Sequence, residues 1–405
     1  METVKVSKQK LTLVTIGCFM LMVSSSVVSN SQSYFLTTVR DYLGCTAAQF
    51  SLYYSFVQMC TVLTSLCIGI IIAKIPTRVY LAVGAVGTAL GFIILSRTTA
   101  LWMVYAGAIC VGLFQALIVV PVVQILNSWM PEGSGSSMGI VMSATGVGGI
   151  VMAQIMPRVV ANISWRTGYM LCAVLYIIFT VVGIILAGEE SPYTKAEKAS
   201  AQGGDAKKKN NFGMVAKDPM FWLFIAICFV GNGTQNIDQH LVPIMQTKGW
   251  ETAMLATGMT VFNVSLVIFK IGHGAMYQKV GGKKYILFYG VVGILGFLLL
   301  QLSGAGLYVG LVAKAFTGAG ITVLYSLICN EYFGTKFGGA VWGFSWASFQ
   351  FGATVFSPIY GSFLDRYGSY DRSTYIGAAV TIVIALFFFY MLGHKRQEAK
   401  EEAKS

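Results

Sequence analysis

Twelve long apolar runs, parted by short breaks that hold nearly all the charges, govern what this chain can become. They lie at about 11–34, 48–73, 79–96, 101–126, 136–158 and 167–187, then at about 219–246, 251–277, 284–302, 306–331, 337–364 and 371–393. Roughly 20 apolar residues in a helix cross the hydrocarbon core of a bilayer. In that medium every backbone N–H and C=O must pair within the structure, and runs this long without alternation read as helices rather than barrel strands. Of 405 residues, 56% are hydrophobic and only 11% charged, against about 25% charged in soluble domains. The mean hydropathy is +0.69. These values exclude a soluble enzyme, a disordered protein and a nucleic-acid-binding module. The 45 glycines suit helices that pack closely in lipid.

The net charge of +12 would point to nucleic acid in a soluble protein, but here the placement of charge reads as topology. With the N-terminus inside, the cytoplasmic segments carry 19 Lys and Arg and the external segments 7, among them Arg40, Arg97, Arg158, Arg166 and Lys248. Both termini are therefore expected in the cytoplasm, in a cytoplasmic (plasma) membrane. The first run shows no cleavage site and is expected to stay as a helix. The 8 cysteines form no CxxC pair, and most lie in apolar runs, where a thiol behaves as a small hydrophobe.

The division is six, a break, and six. Residues 1–187 are expected to form one six-helix bundle, 188–218 a mobile cytoplasmic linker, 219–393 a second bundle and 394–405 an unstructured cytoplasmic tail. The linker holds Glu189, Glu190 and the run Lys207, Lys208 and Lys209, and has nothing apolar to bury. The two halves share a loop pattern: Gly69, Lys74, Pro76 and Arg78 are matched 205 residues later by Gly274, Lys279, Gly281 and Lys283. Duplicated halves are common in secondary transporters.

At this repeat the chain resembles the major facilitator superfamily, whose loop signature is Gly-x-x-x-Asp-(Arg/Lys)-x-Gly-(Arg/Lys)-(Arg/Lys). Both copies here lack the acid, with Ala73 and Gln278 in its place. Asn127, Trp129, Pro131 and Glu132 before Gly146, Gly148 and Gly149 resemble the helix 4–5 junction of oxalate/formate antiporters and monocarboxylate porters. Glu331, Tyr332 and Gly334 before Trp342 and Gly343 are similar to their helix 10–11 junction, and Gly361, Asp365, Arg366, Gly368 and Tyr370 to their helix 11–12 turn. The resemblance implies an all-α membrane protein of twelve transmembrane helices in two six-helix bundles. Helices 1, 4, 7 and 10 would line the pathway, with the substrate near mid-membrane. Lys74, Arg78, Lys279 and Lys283 would anchor and gate the cytoplasmic side; plain positive-inside anchoring is the alternative for all four.

A charge at the bilayer centre costs about 2.5–3.5 kcal/mol even on lenient scales, so the few buried ionisable groups draw attention. All lie in the second half. Lys314 stands near the middle of the tenth run and would attract an anion; its alternative is an internal ion pair with Asp238, and a pair broken by substrate or proton would serve coupling. Lys270 stands where the resembled branch carries Arg, and its alternative is snorkelling to the interface. Phe349 replaces the lysine of oxalate transport, which disfavours a small dianion. Asp238 and His240 are the proton-coupling candidates, or else polar groups of the external end; His273 reads as interfacial. Gln115, Asn232, Gln235, Tyr325, Trp346 and Gln350 are candidate cavity residues, although amides more often bond helix to helix. Pro121, Pro243 and Pro358 can bend their helices.

No phosphate-binding loop, nucleophile triad or metal-ligand cluster stands out, so the sequence implies no enzyme, cofactor or metal. The expectation is a secondary transporter, monomeric in the bilayer, moving an organic monocarboxylate-like anion by proton symport or anion exchange. Efflux of amphipathic or hydrophobic compounds, and a non-transporting ligand sensor, are the alternatives.

Overall fold

The structure is a computed structural model that describes residues 7–130, 134–191 and 217–402. These residues form helices joined by short turns, with no strand among them. The first half gives α1 (Lys8–Leu43), α2 (Ala47–Lys74), α3 (Thr77–Ser96), α4 (Leu101–Trp129), α5 (Ser134–Asn162) and α6 (Trp165–Ala187). The second gives α7 (Pro219–Thr247), α8 (Thr252–Val280), α9 (Gly282–Leu299), α10 (Ala305–Gly334), α11 (335–367) and α12 (Asp371–Glu402). Among the described residues, eleven helices are long and apolar enough to cross a membrane.

Local chemistry sets the ends. Ser7 accepts from the Lys10 N–H at 3.2 Å to open α1, and Asp218 accepts from the Met220 N–H at 2.8 Å to open α7, which has proline in its first turn. Gly44 and Gly368 close α1 and α11 at φ 61° and 64°. Gly334, at φ 74° and ψ 162°, separates α10 from α11.

The helices cluster into two compact units. The first takes Met1–Gly44 with Phe56–Asn210, and the second takes Cys45–Ser55 with Asn211–Ser405. α2 is thus shared: its first turns pack with the second half of the chain. In the first unit α1 packs on α5 and α6, and α3 on α4 and α6, with Phe35 stacked on Tyr169 at 3.9 Å. The core of the second unit holds Phe224, Tyr285, Tyr289, Tyr325 and Phe388.

Two expectations at the chain's breaks change. The linker expected at 188–218 begins as a docked segment: Gly188 and Ser191 are buried, and Glu189 is bound by Lys10 and Arg78. Its remainder from 192 to 216 lies outside the described residues. The tail expected to be unstructured continues α12 through Glu402, because Lys, Gln, Glu and Ala are good helix formers on an existing helix; residues 403–405 lie outside the described residues.

Candidate functional site

α7 is not continuous. Pro243 has no N–H, and its ring clashes with the carbonyl four residues back, that of Gln239. The helix answers with a 3₁₀ turn at Asn236–His240 before resuming at Leu241. The break carries Asp238 and His240, and a mid-helix 3₁₀ stretch of this kind often marks a hinge.

Lys314 of α10 meets this break. Its ammonium is 2.5 Å from Asp238 Oδ1, donates to Gln235 Oε1 and sits 5.2 Å over the Phe297 ring. A side chain on Gly318 would crowd Asp238 Oδ2, 3.1 Å from its Cβ position. Lys314 is 0% exposed and Asp238 21% exposed. Among the described residues, Lys314 is the one fully buried Lys, Arg, Asp or Glu. The cation read from the sequence as an anion attractor is therefore enclosed and already neutralised by Asp238, with Gln235 serving the ammonium.

The two histidines have matching environments. Nε2 of His240 is 3.2 Å from the Ser357 carbonyl, and Nδ1 is 3.0 Å from the Tyr370 hydroxyl. Nε2 of His273 is 2.8 Å from the Phe316 carbonyl, and Nδ1 is 2.8 Å from the Tyr285 hydroxyl. A carbonyl only accepts, so each Nε2 carries the proton and each Nδ1 accepts from tyrosine. His273, expected at the interface, is instead buried against Tyr285, Tyr289 and Phe316, because three aromatic rings and two hydrogen bonds replace its water.

The remaining candidates disperse. Lys270 is partly exposed on α8, so the two lysines grouped by the sequence occupy different surroundings. Asn232 donates to the Phe349 carbonyl at 2.7 Å and ties α7 to α11. Tyr325 is buried, with its hydroxyl over Gly231 and its ring edge-on to Phe388. Trp346 is exposed and stacks on Phe349 at 4.9 Å, and Gln350 is half-buried. In the first unit, Gln115 donates to Thr61 at 3.1 Å, a helix-to-helix bond between α4 and α2.

Of the four basic residues expected to anchor and gate, Arg78 pairs with Glu189 at 3.2 Å, beside Lys10 at 2.6 Å. Lys283 lies 5.2 Å over the Phe389 ring, Lys279 is exposed, and the Lys74 side chain lies outside the described residues. Sequence reasoning missed Glu189 as the acid that serves Arg78, and Asp365 as a cap, which accepts from Ala47 and Ala48 of α2. The signal for Asp365 was present: it ends a Gly-x-x-x-Asp spacing.

Residues 14–345 match the Major Facilitator Superfamily. The chain belongs to this family. It is a membrane transporter fold and not an enzyme. Among curated relatives of this major facilitator, mouse Monocarboxylate transporter 12 is 20% identical over 89% of this chain and 81% of its own. Rat Monocarboxylate transporter 13 is 22% identical over 78% and 75%. The sialic acid transporter NanX of Escherichia coli K12 is 23% identical over 66% and 65%. Of solved structures, the nucleoside transporter NupG superposes with a TM-score of 0.72 at 15% identity, covering 95% of this chain and 98% of that one. A bacterial homologue of the human lysosomal transporter Spinster gives 0.71 at 12% identity, over 96% and 98%. At these identities the two structures establish the major facilitator fold.

Proposed function

We propose that this major facilitator carries an organic monocarboxylate-like anion by alternating access, in proton symport or anion exchange. The observation that carries the reading is the buried Lys314–Asp238 pair at the break in α7. An ion pair in low dielectric is held only while both charges remain. Protonating Asp238 releases the ammonium, and a carboxylate from the substrate then takes the vacated place. Lys270, partly exposed on α8, supplies a second cation for the anion or for its approach. His240 and Gln235 hold the break and the ammonium in register. The names of the relatives support the same cargo class, since both monocarboxylates and sialic acids present a carboxylate.

The protein works as a monomer in the cytoplasmic membrane with both termini inside, a reading supported by the bias of 19 basic residues against 7. The exposed Lys279 and the Arg78–Glu189 contact act at its cytoplasmic face. One observation favours the second reading, efflux of amphipathic or hydrophobic compounds: the Lys314 ammonium as it stands is enclosed, with its charge matched by Asp238.

Reconstituted counterflow of labelled carboxylates, with a pH-sensitive dye inside the vesicles, separates these. Internal acidification with substrate entry marks symport. Entry that needs substrate on the far side and leaves pH unchanged marks exchange. Loss of acid entry in Lys314→Ala and Lys270→Ala is expected. Absence of entry for every acid, with a neutral amphipath carried, overturns the anion assignment.

A further inference from the structure

At the end of the first unit away from the Lys10–Glu189–Arg78 contact, an open cavity of about 460 Å³ lies between α3 and α6. Ser96, Arg97 and Thr99 line it from the end of α3 and the turn that follows, and Arg166, Thr167 and Met170 from the first turns of α6. Two guanidiniums line this cavity, and no acid does. Among the described residues neither arginine forms an ion pair. Two cations that share one cavity at the edge of a low-dielectric medium repel each other, so the site is short of negative charge.

Arg166 is held in place. Its guanidinium carbon lies 4.2 Å from the Trp165 ring centre and 4.5 Å from that of Tyr42, and the group donates to the Thr98 carbonyl at 3.4 Å. That bond uses one of five N–H groups, so the others remain available and already oriented. An oxyanion bound there costs little side-chain entropy. Arg97 caps α3 through its backbone N–H, which leaves its exposed side chain to the cavity. Arg166 and Thr167 belong to the first turn of α6, so the positive end of that helix dipole adds to the two side chains.

The depth is that of a lipid headgroup. α3 has 20 residues, about 30 Å of rise and the thickness of the hydrocarbon core, so Arg97 stands at one border of it. Tyr42 and Trp102, both exposed at this end, are the aromatic residues such a border favours. Along the span both helices turn an apolar stripe outward. On α3, Val79, Val83, Val86, Leu90 and Ile93 are exposed, and Arg97 follows one turn later. On α6, Ile185, Val181, Ile178, Val174 and Met170 are exposed, and Arg166 stands one turn earlier in the chain. Each guanidinium thus crowns a stripe that keeps to one helix face. We propose that this cavity binds the phosphate of an anionic phospholipid, whose acyl chains lie against the two stripes. A zwitterionic headgroup would bring an ammonium beside two guanidiniums with no carboxylate lining the cavity to receive it. A lipid of the phosphatidylglycerol type, with hydroxyls in place of the amine, is the match. The site is independent of the cargo.

The test uses the full chain in detergent, with dioleoylphosphatidylglycerol, dioleoylphosphatidylethanolamine or inorganic phosphate added and the bound species counted by native mass spectrometry. Phosphatidylglycerol is expected to bind saturably and more tightly than phosphatidylethanolamine. Arg97→Gln is expected to weaken its binding about five- to tenfold, the factor that one charge-assisted contact near a membrane surface carries. Arg97→Gln with Arg166→Gln should abolish the preference between the two lipids. If Arg166→Gln, which also loses its stacking, fails to fold, Arg97→Gln carries the test alone, since that side chain is exposed and in no ion pair. Arg158→Gln, which takes an exposed cation from α5 at the same end, should leave binding unchanged. Equal loss in Arg97→Gln and Arg158→Gln, or equal binding of the two lipids, means general surface charge and overturns the site. Inorganic phosphate bound by the unaltered chain and lost in Arg97→Gln, with no preference between lipids, assigns the cavity to a soluble anion and overturns the lipid.

Discussion

A Cβ built on Gly352 would fall 1.9 Å from the carbonyl oxygen of Phe229, so the backbones of α11 and α7 touch there. Within about a turn or two on either side, Asn232 donates to the Phe349 carbonyl at 2.7 Å and Tyr360 to the Thr234 carbonyl at 2.8 Å. The contact fixes where the α7 break lies against its neighbour. Gly352→Ala should force the helices apart and lower stability by about 1–3 kcal/mol, the usual effect of overpacking. Gly343→Ala, on the same helix with nothing within 4 Å, is the control and should leave the melting temperature in detergent unchanged.

The Lys314–Asp238 pair makes a prediction that separates structure from transport. Lys314→Met alone leaves an unpaired carboxylate and should cost about 3–5 kcal/mol; Asp238→Asn with Lys314→Met removes both charges and should recover most of that. Thermal unfolding of the single and double variants checks this. Carboxylate counterflow should stay lost in the double variant despite its recovered stability. Counterflow that returns with stability would make the pair a scaffold only.

His240 should behave as a clip. His240→Phe leaves Tyr370 and the Ser357 carbonyl without their shared partner and should lower stability by about 1–3 kcal/mol. The pH profile of transport should keep its shape in that variant and flatten in Asp238→Asn. A profile that shifts with His240→Phe and not with Asp238→Asn would move the proton to the imidazole.

Glu189 accepts from Lys10 at 2.6 Å and Arg78 at 3.2 Å at a half-exposed site. Glu189→Gln should therefore change stability by less than about 1 kcal/mol, and the difference should vanish in molar salt. Melting curves at low and high salt decide it.

The helices were legible because an apolar run of span length has few other ways to satisfy its backbone in lipid. Pro243 flagged a bend, though not that the bend would be a 3₁₀ turn presenting Asp238 to Lys314. That pair was readable as an alternative because so few charges enter the spans. Its enclosure was not, since whether an ammonium meets water or Gln235 depends on packing across helices. The partners of Glu189 and Asp365 were hidden for a related reason: they lie 179 and 318 positions away in the chain. For Gln115 the sequence left a cavity role and a helix-to-helix bond both open, and its amide donates to Thr61 on another helix.

α2 has no proline and runs unbroken from Ala47 to Lys74, 28 residues or roughly 40 Å of rod. A helix of that length without a kink moves as one piece, so its first turn, bound by the Asp365 carboxylate, and its last cannot shift independently.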